Sequence, residues 1–169
     1  MKRKGLCGIL LTGLLSLIIT GALPQDSKWL TYKGAWFDIR YPPGFQPKPS
    51  KRSSSSATGY DSVFFLSPDR VVEFYVFSPQ WSGSPTDIAV NPKTEILDSQ
   101  SVEKGKEITR REGTVRARNG SYIRSFVIIE NHLTNTCHAF GIKYRDRKTY
   151  ERYRSAYLKF KQSLRQYAD

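Results

Sequence analysis

The sequence predicts an α+β fold: a central antiparallel β-sheet with helices packed on its faces, closed by a long amphipathic C-terminal helix. Three observations carry this. Short β-branched and aromatic runs recur between clusters of Pro, Gly, Asn and Ser, the pattern of strands and turns. Asn119-Gly120 stands between two such runs, the strongest short-range hairpin signal. Tyr150, Tyr153, Tyr157, Phe160, Leu164 and Tyr167 then fall three and four residues apart, which makes one apolar stripe on a helix.

The chain begins with a leader pattern. Lys2-Arg3-Lys4 forms a positive segment, Leu6 to Ile19 is nearly all apolar, and Thr20-Gly21-Ala22 supplies small residues. That is a secretory signal peptide over residues 1–22, with cleavage after Ala22, followed by a single domain over 23–169. An uncleaved inner-membrane anchor is the alternative, because Gly5 to Leu23 spans 19 residues, near the lower limit for crossing a bilayer. Four glycines and the following Pro24-Gln25-Asp26 favour cleavage. Cys7 precedes the apolar run rather than ending it, so a lipid-modified cysteine is disfavoured. Both remaining options place the domain across the membrane, in the periplasm or secreted.

In Trp36 to Tyr41, Phe37, Ile39 and Tyr41 alternate with Asp38 and Arg40, as in a strand with one buried side. Pro42-Pro43-Gly44 ends it. Lys48 to Gly59 is serine-rich and reads as a mobile loop. Ser62 to Leu66 and Val71 to Phe77 are apolar strands joined by the turn Ser67-Pro68-Asp69-Arg70, the second covered on both faces. Thr86 can cap a short helix that Pro92 interrupts, and Lys93 to Gln100 reads as a helical turn or two. Ile108 to Arg118 and Ser121 to Glu130 form the Asn-Gly hairpin. A two-residue type I′ loop there sets Ala117 opposite Tyr122 and Val115 opposite Arg124. Thr136 to Tyr144 returns with His138, Phe140, Ile142 and Tyr144 on one face and Cys137, Ala139 and Gly141 on the other. The closing helix is expected over Arg147 to Tyr167, N-capped by Asp146 and roughly 30 Å long.

The order of elements resembles the PsbP-like and DcrB-like superfamily of α/β/α sandwiches. Phe37-Asp38-Ile39-Arg40-Tyr41-Pro42 is similar to that superfamily's entry strand, and Phe160 to Leu164 to its exit helix. The layout covers most of residues 32–167. The segment where such proteins often carry a helix is here interrupted by Pro92. Many members are exported bacterial or thylakoid-lumen proteins acting by binding or by assisting assembly. The resemblance therefore implies a non-enzyme.

Composition narrows the partner. There are 27 Lys plus Arg against 15 Asp plus Glu, a net charge of +12, with three of the cations in the leader and +9 on the remainder. A basic surface suits an anionic envelope component or protein, close to a membrane. Nucleic acid is not expected, because an exported protein rarely meets it. The cations that crowd the hairpin and the closing helix are the candidate anion-binding residues: Arg110, Arg111, Arg116, Arg118, Arg147, Arg152, Arg154 and Lys159. The alternative is a small envelope enzyme with its site near Trp81 and the Ser78–Pro85 loop, marked by a perturbed carboxylate or by His138 beneath that loop.

Other chemistry is thinly represented. His132, Cys137 and His138 are the only His and Cys after the leader. Cys137 and His138 are strand neighbours pointing to opposite faces, so they form no dyad, and no zinc set can be completed. Phosphate loops, nucleophile elbows and His-Glu-x-x-His are absent. The sequence thus implies a monomeric, non-catalytic binding or assembly module with no cofactor and no metal.

Overall fold

The computed structural model describes residues 28–167. The leader, its cleavage point at Ala22 and Cys7 lie outside the described residues. In chain order the elements are β1 (Leu30–Lys33), β2 (Phe37–Tyr41), β3 (Gln46–Pro49), β4 (Ser62–Leu66), β5 (Val72–Phe77), β6 (Glu95–Lys104), β7 (Ile108–Ala117), β8 (Ile123–Asn131), β9 (Thr136–Tyr144), α1 (Arg147–Gln162) and β10 (Arg165–Gln166). Seven strands form an antiparallel sheet in the order β3-β4-β5-β9-β8-β7-β6, and β1-β2-β10 form a smaller one.

The closing helix packs on one face of the large sheet. Asp146 caps it by accepting from the Thr149 amide at 2.8 Å. Tyr153, Tyr157 and Phe160 are buried. The Phe160 ring lies 5.3 Å from both Phe65 and Phe74. Phe37 and Ile39 of β2 join the same cluster, so the small sheet and the helix share one core with β4, β5 and β9. Each fully buried ring or aliphatic side chain there contributes about 1.5–3 kcal/mol.

The opposite face of the large sheet carries Tyr75, Phe77, Cys137 and Ala139. It is covered by the β5–β6 connection, not by a helix. The only helical piece of that connection is a 3-10 turn, Thr86–Ile88. The expected sandwich with helices on both faces is thus half built: α1 is the one α-helix among the described residues.

Three local expectations are corrected. Lys93 to Gln100 is not helical, because β6 begins at Glu95 and pairs along β7, with a bulge between Leu97 and Ser99. The helix stops at Gln162. The Ser163 hydroxyl bonds the Phe160 carbonyl at 2.7 Å and accepts from the Arg40 amide at 2.9 Å, and the chain then extends to pair with β2. The helix is therefore 16 residues long, about 24 Å, and Leu164 and Tyr167 leave the stripe. Lys48 and Pro49, expected in a mobile loop, belong to edge strand β3, which pairs with β4. Prolines at 47 and 49 suit an edge, where no partner needs their missing N–H.

The hairpin register is as expected, with Val115 opposite Arg124 and the Ala117 amide bonded to the Tyr122 carbonyl at 3.0 Å. Its turn differs. Gly120 has φ 73°, while Asn119 is not among the residues with positive φ, and the Gly120 amide bonds the Ala117 carbonyl at 3.0 Å. This is the pattern of a β-turn followed by one left-handed residue rather than type I′.

Candidate functional site

α1 covers β5 and β9 but not the β6–β7 end of the same sheet face. A groove of about 750 Å³ is left between the helix and strands β6 to β8. Arg110 of β7 and Arg147, Arg154 and Lys161 of α1 line it, against two carboxylates, Glu112 and Glu151. Both carboxylates are engaged: Glu112 by Arg110 and Glu151 by Arg147 at 2.7 Å. Arg154 and Lys161 have no carboxylate partner among the described residues. Lys161 stacks its ammonium over the Tyr157 ring at 5.2 Å. Burial first, and then the nearby Arg110 charge, pull the Lys161 ammonium below its ordinary range, partly offset by Glu112. The remaining polar lining is mostly hydroxyl, including Thr114 and Ser125, which lie 3.2 Å apart.

Of the eight cations singled out from sequence, only Arg110, Arg147 and Arg154 come together here. The others are spent on local partners around the molecule. Arg111 points to the other sheet face and holds Glu130 at 2.5 Å. Arg116 clasps Asp98 with two bonds of 3.2 Å. Arg118 donates to the Pro92 carbonyl at 3.1 Å. Arg152 pairs with Asp69 at 3.2 Å, and Lys159 sits over the Trp29 ring at 4.8 Å. Lys161 is not among those eight cations. A signal was available: Arg147, Arg154 and Lys161 recur every seven residues, which returns them to one helix face.

A second concavity of about 420 Å³ lies on the opposite sheet face, with Phe64, Tyr75, Phe126 and Gly141 as its floor. Its charged walls are occupied in holding the β5–β6 connection down. Arg124 Nε and Nη2 donate to the two Glu95 carboxylate oxygens at 2.7 Å each, and Nη1 donates to the Ile88 carbonyl at 3.0 Å. The Tyr122 hydroxyl and the Asn91 amide add bonds of 2.8 and 2.9 Å to the same carboxylate. With Arg124 as the first cause, Glu95 is held at about 2, well below the usual carboxylate range. Asp87 accepts from Ser62 and Tyr75 hydroxyls at 2.5 Å each. None of this clamp is legible in the sequence, because the groups that Arg124 holds lie 29 to 36 residues away in the chain.

His138 is linked through Gln166 to Ser78, the first residue of the Ser78–Pro85 loop. It faces the helix side, 5.6 Å from the Phe140 ring, and burial lowers its pKa. Cys137 lies on the loop side, fully buried, its thiol pushed up to about 11 by burial and then by Glu130. His132 Nε2 bonds the Thr109 hydroxyl at 2.8 Å. Asp61, whose carbonyl accepts from the Ser78 amide, is raised by burial, and its Oδ1 has no hydrogen-bond partner among the described residues. It lines neither concavity. No group of three or more His, Cys, Asp or Glu among the described residues could hold a metal ion. No helix among them is long and apolar enough to cross a membrane.

No protein-family model and no curated protein matches the chain. Among solved structures it is similar to the cyanobacterial PsbP (CyanoP) of Synechocystis sp. PCC 6803, with 11% identity, a TM-score of 0.49 and coverage of 88% of this chain and 99% of that one. It is also similar to the Ran-binding protein Mog1p of Saccharomyces cerevisiae, with 10% identity, a TM-score of 0.43 and coverage of 83% and 95%.

Proposed function

We propose that the chain is an exported, non-catalytic binding or assembly module of the cell envelope that docks an anionic partner in the groove beside α1. The observation that carries this is the excess of positive charge there: four cations face two carboxylates that are already paired, and Arg154 and Lys161 are left for a partner. A concave site focuses such a field better than a flat one. The separation of Cys137 from His138 across the sheet supports a non-catalytic role. Export rests on the leader pattern of residues 1–22.

The test is titration of the processed protein with dextran sulfate, a polyanion of no particular shape, at low and high salt. Binding should weaken steeply with salt, and the pair Arg154→Glu and Lys161→Glu should abolish it, while Arg118→Glu with Lys159→Glu should not. Binding indifferent to salt, or lost equally in both double variants, contradicts the reading. A mature N-terminus at Leu23 separates export with cleavage from an inner-membrane anchor, which would retain residues 1–22.

A further inference from the structure

Resting on that reading, the geometry of the groove points to one class of ligand: we infer that it takes a linear phosphate-bearing polymer laid along α1. Arg147, Arg154 and Lys161 all line the groove and are spaced seven residues apart. Seven residues are close to two helical turns, so the three cations stand in a row about 10.5 Å apart, about 21 Å from end to end. A single small anion can meet only one or two of them. A flat leaflet cannot enter a groove walled by a helix on one side and by β6 to β8 on the other. An extended chain can meet all three.

Charge placement favours phosphate over an acidic peptide. The two lining cations without a carboxylate partner, the Arg154 guanidinium and the Lys161 ammonium, are donors only, and around them stand the Gln100 amide and hydroxyls such as Thr114, Ser125, Tyr144 and Tyr150, which donate or accept. The acceptors Glu112 and Glu151 are held by Arg110 and Arg147. The floor strands β7 and β8 are paired on both sides and offer no free main chain, while β6, at the sheet edge, has one unpaired side. An acidic peptide would carry its charge on flexible side chains, whose ordering along the row costs conformational entropy. Phosphodiester and polyphosphate backbones carry the charge on the chain itself, with acceptor oxygens at every unit for the guanidinium and ammonium donors. The Arg147–Glu151 pair does not block this, because Arg147 is 86% exposed and such pairs exchange at little cost.

The experiment titrates the processed protein with inorganic polyphosphate shorter and longer than the 21 Å row, with a base-free glycerol-phosphate oligomer, and with a single-stranded oligonucleotide of matched charge. Affinity should climb with polyphosphate length and level off once the row is spanned. Arg147→Ser, Arg154→Ser and Lys161→Ser should each lower the log–log salt slope by about 0.7, with the circular dichroism of the fold unchanged. The glycerol-phosphate and oligonucleotide arms should bind alike. Short polyphosphate binding as tightly as long, or length dependence untouched by the three variants, overturns the inference. So does binding of dextran sulfate but of no phosphate polymer, although the proposed function then stands. Tighter binding of the oligonucleotide would show that bases are read, which also overturns it. Failure of every polyanion, dextran sulfate included, removes the proposed function itself.

Discussion

Arg124→Met should be among the most damaging single changes on the face away from the helix. The Arg124 and Glu95 side chains are only 13% and 7% exposed, and the guanidinium also ties down the Ile88 carbonyl. Removing one member of a buried pair leaves the other charge uncompensated, which costs about 3–5 kcal/mol. The lower end, about 3 kcal/mol, applies here because Tyr122 and Asn91 still donate to Glu95. For a domain of this size that is a fall of roughly 10 °C in melting temperature. Adding Glu95→Gln to Arg124→Met should restore at least half of the loss, since the stranded charge is then gone. Acid provides the second readout. The folded Glu95 carboxyl sits at about 2, below its ordinary 4.5. Its contribution is therefore complete above pH 4.5 and is lost as pH falls toward 2. Arg124→Met removes the main cause and should flatten that part of the stability profile. Urea melts of the three proteins across this pH range measure both effects. A loss under about 1 kcal/mol for Arg124→Met, or an unchanged acid slope, refutes the clamp.

Phe160→Ala removes a fully buried ring wedged between Phe65 and Phe74 and should cost about 3–5 kcal/mol in a urea melt. Gly59→Ala should cost more than about 1 kcal/mol by the same assay, because φ is +93° and the new Cβ would stand 2.9 Å from the Ala35 Cα. Cys137, with its thiol raised to about 11, should resist iodoacetamide near neutral pH in the native protein and react fully once unfolded. N-terminal sequencing of the processed chain should begin at Leu23.

The parts of the fold that were legible in the sequence are those where one physical rule acts alone. The entry strand alternates cleanly, the faces of β9 follow from its parity, and Asn119-Gly120 fixes the hairpin register even though the turn relaxes to a different type. The helix stripe was visible, but its end was not. The spacing continues to Tyr167 while the free edge of β2 competes for residues 165 and 166, and Ser163 settles the contest with its two bonds. β6 was missed because the bulge inserts Asp98. Leu97 and Val102, five residues apart, then share a face, which destroys the alternation that marks a strand. The site was legible as charge and illegible as geometry. Counting arginines cannot reveal that Asp98, Asp69 and Glu130 arrive from other elements to neutralise three of them. Only the pairing of strands and the angle of the helix leave Arg154 and Lys161 facing a groove.

The most direct measurement is an amide and side-chain chemical-shift map of the processed protein on addition of dextran sulfate at low salt. The account predicts shifts concentrated at Thr114, Ser125, Tyr150, Arg154 and Lys161. Shifts centred on Arg111, Arg118 or Lys159, or spread evenly over every cation, would contradict it.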